Sequence, residues 1–341
     1  MRKLQLIFGL LLSLGCLYYA FRGISFKEVA RAIGHADPRW LILALGVYAC
    51  GFVIRAYRWA GLMKPIKPIS AMALMPPMVI GFFANNVLPF RMGELVRAHV
   101  AGQKIKVSRS TALGTIVVER IFDTVTFLSM FLVVALFFPF PGPVRHGAYV
   151  LGAFCAGLII ALLIGSKHQH RTHALIARLP ISETWQKKIQ DLIVNFAHGV
   201  SGMTQGQYVI QALVLSIGVW IVEGTNVYLI AQAFPILFTY PQAYFVLFFL
   251  GLSVTLPQAP GYVGTVELFG ATALSLLGIP REQGLPVILT IHGIQFGFVA
   301  LLGGLALWKE GISLNRLLNR SELTTQSPAD SDQSSVDTLI H

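Results

Sequence analysis

Charged residues, a proline and a glycine interrupt a long apolar segment near residue 90. The interruption, residues 88–97 (LPFRMGELVR), carries Pro89, Arg91, Gly93, Glu94 and Arg97 directly after the apolar run 69–87. Proline and glycine break helices, and irregular backbone at membrane depth is tolerated only where protein or a water-filled cavity surrounds it. Charges at that depth are costly enough to indicate function. We therefore predict a broken helix that forms part of a working site.

A second interruption echoes the first. Residues 256–267 (LPQAPGYVGTVE) also contain Leu-Pro and end in Gly and Glu, and each interruption follows a Phe-Phe pair, at 82–83 and at 248–249. We predict that the two breaks belong to one site, since broken helices that meet are typical of transporter binding sites. The residues predicted to act as hinges at these breaks are Pro89, Gly93, Pro257, Pro260, Gly261 and Gly264.

The composition places the chain in a membrane. Of its 341 residues 55% are hydrophobic and 12% are charged, about half the roughly 25% of charged residues in soluble domains. The net charge of +11 indicates topology-setting loops and contact with anionic lipid headgroups, and we predict no nucleic-acid partner. Cys16, Cys50 and Cys155 lie in apolar runs and are spaced too widely for a metal motif. We predict no disulfide framework, no metal site and no cofactor.

The apolar runs predict an all-α polytopic membrane protein with about six full transmembrane helices and two re-entrant helical hairpins. The predicted spans are residues 4–21, 40–60, 111–138, 148–165, 208–231 and 285–308. The predicted hairpins have arms 69–87 with 92–101, and 240–255 with 264–279. A spanning helix needs about 20 residues, so an arm such as 92–101 cannot cross the bilayer alone.

The basic residues predict the orientation of these helices. With the N-terminus inside and both hairpins returning to their side of entry, 15 of the 26 Lys and Arg residues lie inside, and six lie outside. This agrees with the positive-inside rule and places both termini in the cytoplasm, in a multi-pass protein of the cytoplasmic (inner) membrane. The first hairpin then enters from inside and the second from outside.

The two hairpins therefore predict an inverted repeat, an architecture in which the substrate site lies near the bilayer midplane. We place its halves at residues 1–147 and 148–310, with an interior basic segment at 166–207. Residues 311–341 are rich in Ser, Thr and Asp and are predicted to be a disordered cytoplasmic tail.

Several charged residues lie inside the predicted spans. Glu119 and Asp123 share one face of the third span, and Arg120, roughly 14 Å from the start of that helix, can reach Asp123. These charges either line an aqueous cavity or form a salt bridge that locks the helix bundle. Further site candidates are Glu223, well inside the fifth span, and His292, on the inner half of the last.

Two more arginines, Arg55 and Arg58, fall near one end of the second span beside Trp59. An arginine and an aromatic residue at a helix end are typical of anchoring to lipid headgroups. We therefore expect these side chains to reach towards the membrane surface.

Three motifs resemble the flippase-like membrane domain of lysylphosphatidylglycerol synthases, a resemblance that covers residues 4 to 310. The motifs are Pro89-x-Arg91-x-Gly93-Glu94-x-x-Arg97, Glu119-Arg120-x-x-Asp123 and Pro260-Gly261-x-x-Gly264-x-x-Glu267. The resemblance implies that the protein moves or handles a lipid between leaflets. It also implies a cavity lined by Arg91, Glu94, Arg97, Glu119, Arg120, Asp123 and Glu267. No soluble aminoacyltransferase domain follows in this sequence, so the resemblance implies neither lipid aminoacylation nor lysylphosphatidylglycerol as the substrate.

Three functions are compatible with these features. In the first, a non-enzymatic flippase or transporter, Arg91, Arg97 and Arg120 attract a lipid phosphate. Glu94, Asp123 and Glu267 then pair those arginines in the empty site, bind a cationic headgroup or carry a proton. The second is a membrane enzyme in which buried acids and His292 act as acid and base. The third is a scaffold without transport that assists a separate lipid-modifying enzyme. A membrane phospholipid is the predicted ligand, and a second copy of the chain is another candidate partner.

Overall fold

A computed structural model describes residues 2–88, 92–138, 206–256 and 258–312, with a few isolated positions between 139 and 205. The elements of this part of the chain are all helical, which confirms the predicted fold class. The helices are α1 Arg2–Phe21, α2 Phe26–Gly34, α3 Pro38–Met63, α4 Ala71–Val87, α5 Gly93–Ile105, α6 Arg109–Phe137, α7 Gly206–Gln232, α8 Tyr240–Ser253, α9 Thr265–Leu276 and α10 Arg281–Lys309. A 3₁₀ turn, Pro260–Tyr262, lies between α8 and α9.

Three of the described helices are long and apolar enough to cross a membrane: Pro38–Met63, Gln207–Gln232 and Arg281–Lys309. A fourth crossing is formed if α1 and α2, which are bent by 78° at their junction, act as one span. The charged helix α6 has 29 residues, more than the about 20 that a crossing requires. The predicted span 148–165 lies outside the described residues, so the total of six spans stays a prediction.

The chain breaks where the sequence predicts it. Helices α4 and α5 have 17 and 13 residues, and α8 and α9 have 14 and 12. At 1.5 Å per residue these arms are about 18–25 Å long, shorter than the roughly 30 Å hydrocarbon core. In the first pair Gly81 faces Arg97 and Asn85 faces Gly93, so α4 and α5 run antiparallel.

Packing brings the two halves of the chain together. The long helices α3 and α7 pack along one another, α4 contacts α10, and α8 contacts α6. In each half of the described chain a long helix is followed by a pair of short helices and then by another long helix. The same order in both halves is what an inverted repeat requires. The boundary between the halves at residues 147 and 148 stays a prediction. This arrangement places both breaks beside α6, α7 and α10, which carry the charged candidates.

Candidate functional site

Five charged side chains form a cluster where α3, α5 and α6 meet, which we call the arginine–carboxylate cluster: Arg58, Arg97, Glu119, Arg120 and Asp123. The Arg97 guanidinium donates to both Glu119 oxygens at 2.9 and 2.8 Å. Arg58 donates through both terminal nitrogens to Asp123 and lies 3.1 Å from Glu119. Such two-point pairs are the strong form of charge-assisted hydrogen bond. They compensate ions that would each cost about 2.5–3.5 kcal/mol in the bilayer.

Arg58 lies at the centre of this cluster, which corrects the expectation that it anchors to headgroups. Its side chain is completely shielded from solvent, and it also donates to Ser216 Oγ on α7 at 2.9 Å. The neighbouring Trp59 packs its ring 3.7 Å from the Arg97 guanidinium carbon and donates to Thr115. The expectation was wrong because the carboxylates that attract Arg58 lie on another helix, which no local pattern around Arg58 reveals.

Arg55 departs from its expected place in the same way. It pairs with Glu223 on α7, and its guanidinium lies 5.6 Å and 5.8 Å from the ring centres of Phe52 and Phe82. Glu223 was itself a predicted site residue, and it lines a cavity between the two hairpins. Arg55 therefore contacts the candidate site through Glu223, whereas sequence reasoning assigned it to the membrane surface.

Arg120 is the member of the cluster that borders open space. It pairs with Glu119 at 2.8 Å and with Asp123 at 3.2 Å, yet 34% of its side chain is exposed. Its Nε is buried and finds no hydrogen-bond partner among the described residues. Of the three arginines in this cluster, Arg120 is the one whose side chain is most exposed, because Arg58 and Arg97 are almost fully buried.

The first break is closed by the side chain of Asn85. Asn85 Oδ1 accepts a hydrogen bond from the Gly93 amide at 2.7 Å, and Nδ2 donates to Glu94 at 3.3 Å. A Cβ at position 93 would collide with the Gly81 carbonyl oxygen and with Asn85, so only glycine lets α4 and α5 approach this closely. Asn85 was not among the predicted site residues, although an asparagine pair in an apolar run was the available signal. Pro89 and Arg91 lie outside the described residues.

The second break joins α9 to α10 through Glu267 and His292. Glu267 Oε2 accepts from the Gly264 amide at 2.6 Å, and Glu267 Oε1 lies 2.6 Å from His292 Nδ1. The other ring nitrogen, Nε2, lies 2.8 Å from the carbonyl oxygen of Gly261. One histidine thus connects the start of α9 to the 3₁₀ turn before it.

Backbone geometry at this break accounts for its glycines and for the role of α1. Gly261 and Gly264 have φ of 77° and 95°, which only glycine adopts without strain. Ser13 of α1 accepts a hydrogen bond from the Ala259 amide at 2.9 Å, and its carbonyl oxygen occupies the space that a Cβ at position 264 would need. Pro260 begins the 3₁₀ turn, and Pro257 lies outside the described residues.

A cavity of about 240 Å³ lies between the two hairpins. Apolar side chains of α4, α8 and α10 form much of its wall, together with the rings of Tyr48 and Tyr262. Its polar lining consists of Asn85, Asn86, Arg120, Glu223, His292 and Gln295. Beside it, a recess of about 10 Å³ is lined by Glu94, Arg97 and Arg120. The predicted candidates Glu119, Asp123 and Glu267 bind the residues that line these spaces.

Comparison with known proteins identifies a family whose model matches most of the chain. The family model described as "Lysylphosphatidylglycerol synthase TM region" matches residues 6–303. A UPF0104 membrane protein of Methanothermobacter thermautotrophicus is 25% identical over 292 residues, covering 82% of this chain and 86% of that protein. The UPF0104 membrane protein MJ1078 of Methanocaldococcus jannaschii is 24% identical over 65% of this chain and 92% of its own length.

A relative with another name is longer than this chain. The protein named glycosyltransferase AglD of Haloferax volcanii is 21% identical over 338 residues, which are 89% of this chain and 54% of that protein. No solved structure matches the chain.

Proposed function

The chain belongs to the family of the lysylphosphatidylglycerol synthase transmembrane region, and from that premise we propose that it is a lipid flippase or transporter. In this proposal a phospholipid or lipid-linked headgroup crosses the cytoplasmic membrane through the cavity between the two breaks. The observation that carries the proposal is the position of Arg120, a cluster arginine that remains one-third exposed at the cavity wall. The protein performs no covalent chemistry on the lipid.

The chemistry of the cavity suits a phosphate-bearing headgroup. A guanidinium matches the geometry of phosphate oxygens, and Arg120 is the arginine of the arginine–carboxylate cluster that lines the cavity. Around it, Asn85, Asn86 and Gln295 supply amide donors. Glu223 and His292 are the groups that a cationic part of the headgroup would face.

The size of the cavity supports movement of a headgroup without its acyl chains. Its 240 Å³ is below the roughly 300–1,000 Å³ of pockets that enclose a whole drug-sized ligand. The apolar wall formed by α4, α8 and α10 lets the chains stay in the bilayer while the headgroup passes. Two broken helices at one site also give hinges for alternating access, as in other transporters with inverted repeats.

The test is a leaflet-exchange assay. Purified full-length protein is reconstituted into vesicles with fluorescent phospholipids of different headgroups, with and without a proton gradient, and movement between leaflets is followed. The wild type is compared with Arg120→Gln and with Arg39→Gln, which removes an exposed arginine from the start of α3. Protein-dependent movement lost in Arg120→Gln and kept in Arg39→Gln is the expected result. No movement of any headgroup by the wild type contradicts the proposal.

The second candidate function is a scaffold that assists a separate lipid-modifying enzyme. The observation in its favour is the complete burial and mutual pairing of Arg58 and Glu119, since charges of that kind can serve structure alone. Under this alternative the cavity moves nothing, and the protein instead co-purifies with an enzyme that acts on lipid. A product formed from lipid by the isolated protein would support neither function and would indicate an enzyme.

A further inference from the structure

The ring of His292 is held at both nitrogens, and one of the two contacts determines where a proton must lie. Nε2 lies 2.8 Å from the Gly261 carbonyl oxygen. A carbonyl oxygen only accepts hydrogen bonds, so Nε2 carries a hydrogen and donates it. A neutral imidazole with its hydrogen on Nε2 has a bare lone pair on Nδ1.

The second contact needs one more proton. Nδ1 lies 2.6 Å from Glu267 Oε1, and the other oxygen of that carboxyl group, Oε2, already accepts from the Gly264 amide. An ionised carboxylate is also an acceptor, so a neutral ring and a charged Glu267 would place two lone pairs against each other at hydrogen-bonding distance. The contact is attractive only if a proton lies on Nδ1 or on Oε1.

We propose that Glu267 and His292 form a proton-binding site, and that the bound proton holds the second break closed. The proposal concerns proton binding and the conformation of the break, and it stands whether or not the protein moves lipid. Of the His292 side chain 13% is exposed, and the ring lines the cavity. A proton can therefore reach the pair from the cavity.

Other ionisable groups face this region from the surrounding helices. Arg120 of α6 and Glu223 of α7 line the same cavity, and each has its own partners, in the arginine–carboxylate cluster and in Arg55. Tyr48 of α3 and Tyr262 of the turn also line it, whereas α4 contributes the uncharged Asn85 and Asn86.

Helix α1, packed on α9, carries the buried Cys16. Helix α2, packed on α10, carries the exposed Lys27, Glu28 and Arg31. Each cavity charge besides the pair has an oppositely charged partner of its own.

Loss of the proton weakens the contacts that support the break. Without it, His292 must turn away from Glu267 or give up its bond to Gly261. The turn that this bond supports contains two residues in the left-handed region, Gly261 with φ of 77° and Tyr262 with φ of 62°. A non-glycine residue such as Tyr262 keeps that conformation only where its surroundings enforce it. The break therefore opens towards the cavity when the pair deprotonates.

The first experiment observes the proton directly in the unaltered protein. Full-length protein carrying nitrogen-15 in its histidine rings and carbon-13 in its glutamate carboxyl groups is placed in nanodiscs at about pH 5, below the ordinary histidine pKa. The His292 and Glu267 signals are assigned by comparison with His292→Gln and Glu267→Gln. We expect either two protonated ring nitrogens or a protonated Nε2 with Nδ1 accepting from a protonated Glu267. At this acidic pH, a neutral ring beside an ionised Glu267, read from the carboxyl carbon signal, overturns the proposal.

The second experiment tests the effect on the break. Amide hydrogen exchange of residues 258–267 is followed between about pH 5 and pH 9, a range that lies on both sides of the ordinary pKa of a histidine side chain. The comparison is with Glu267→Gln, whose amide oxygen can accept from Gly264 while its NH₂ donates to Nδ1. This variant mimics the proton-loaded pair and has no ionisable carboxyl group at position 267.

At the acidic end we expect the amides of the two proteins to exchange at the same rate. At the alkaline end we expect the wild type to exchange roughly tenfold faster than the variant, the factor that corresponds to one pKa unit. Equal pH profiles for the folded wild type and the folded variant overturn the gating role. If Glu267→Gln does not fold, the nitrogen signals of the unaltered protein across the same pH range decide the proposal. A ring that never carries or shares the extra proton refutes it.

Discussion

Arg58 and Glu119 are both completely shielded from solvent, and their charged groups lie 3.1 Å apart where α3 meets α6. The two residues are 61 positions apart in the chain, and each also binds a second partner of the cluster, Asp123 for Arg58 and Arg97 for Glu119. This pair joins a long helix of the first half to the helix that carries the cavity arginine. Its integrity should therefore matter for folding, whereas Arg120 should matter for function.

Replacement of Arg58 by alanine should strongly destabilise the protein. It leaves two buried carboxylates without their central partner, and breaking a buried ion pair costs about 3–5 kcal/mol. Thermal unfolding of purified protein in detergent measures the effect. Arg39→Ala removes an exposed arginine from the same helix and should change stability by about 0.5 kcal/mol or less. Equal unfolding temperatures for the two variants would show that the cluster does not hold the bundle.

Replacement of Arg120 by lysine should separate binding from stability. Lysine keeps the charge but loses the guanidinium fork that matches phosphate oxygens, and the one-third exposure of Arg120 leaves room for the smaller group. We expect a folded protein with near-normal unfolding temperature and slower lipid movement in the leaflet-exchange assay. Unchanged movement of every phosphate-bearing headgroup would argue against Arg120 as the phosphate ligand.

Replacement of Gly93 by alanine should force the arms of the first hairpin apart. The new Cβ would meet the Gly81 carbonyl oxygen and the Asn85 side chain, and insertion of a methyl group into a packed contact typically costs about 1–3 kcal/mol. Gly46→Ala in α3 is the matched control, because nothing lies within 4 Å of its added Cβ. That control should alter stability by no more than about 1 kcal/mol. Thermal unfolding of both variants compares them directly.

The predicted orientation can be tested at the two ends of α3. In a background with Cys16, Cys50 and Cys155 replaced, single cysteines are placed at Arg39 and at Lys64, both exposed and on opposite ends of the helix. A membrane-impermeant thiol reagent added to intact cells should label position 39, and position 64 only after the membrane is opened. The reverse labelling pattern would show that the predicted orientation in the membrane is wrong.

Local patterns were sufficient for the breaks and for part of the site. Gly93 and Gly264 lie at the starts of short helices, and Gly261 lies in the 3₁₀ turn; such breaks can be predicted because the effect of glycine on the backbone depends on the residues next to it. Glu119, Arg120 and Asp123 could be grouped in advance because all three lie on one helix. The same reasoning misplaced Arg55 and Arg58, since each lies beside aromatic residues at a helix end, and their carboxylate partners are 168 and 65 positions away.

By itself the sequence determined that this is a helical membrane protein with two broken helices. Hydropathy, proline and glycine act through the nearest residues and the surrounding lipid, so they can be interpreted without a structure. Only the tertiary structure decided which buried charges neutralise one another, that Asn85 closes the first break, and that His292 joins Glu267 to Gly261. Coulomb attraction and hydrogen bonding act over a few ångströms of space, and the packing of distant helices determines which groups come that close.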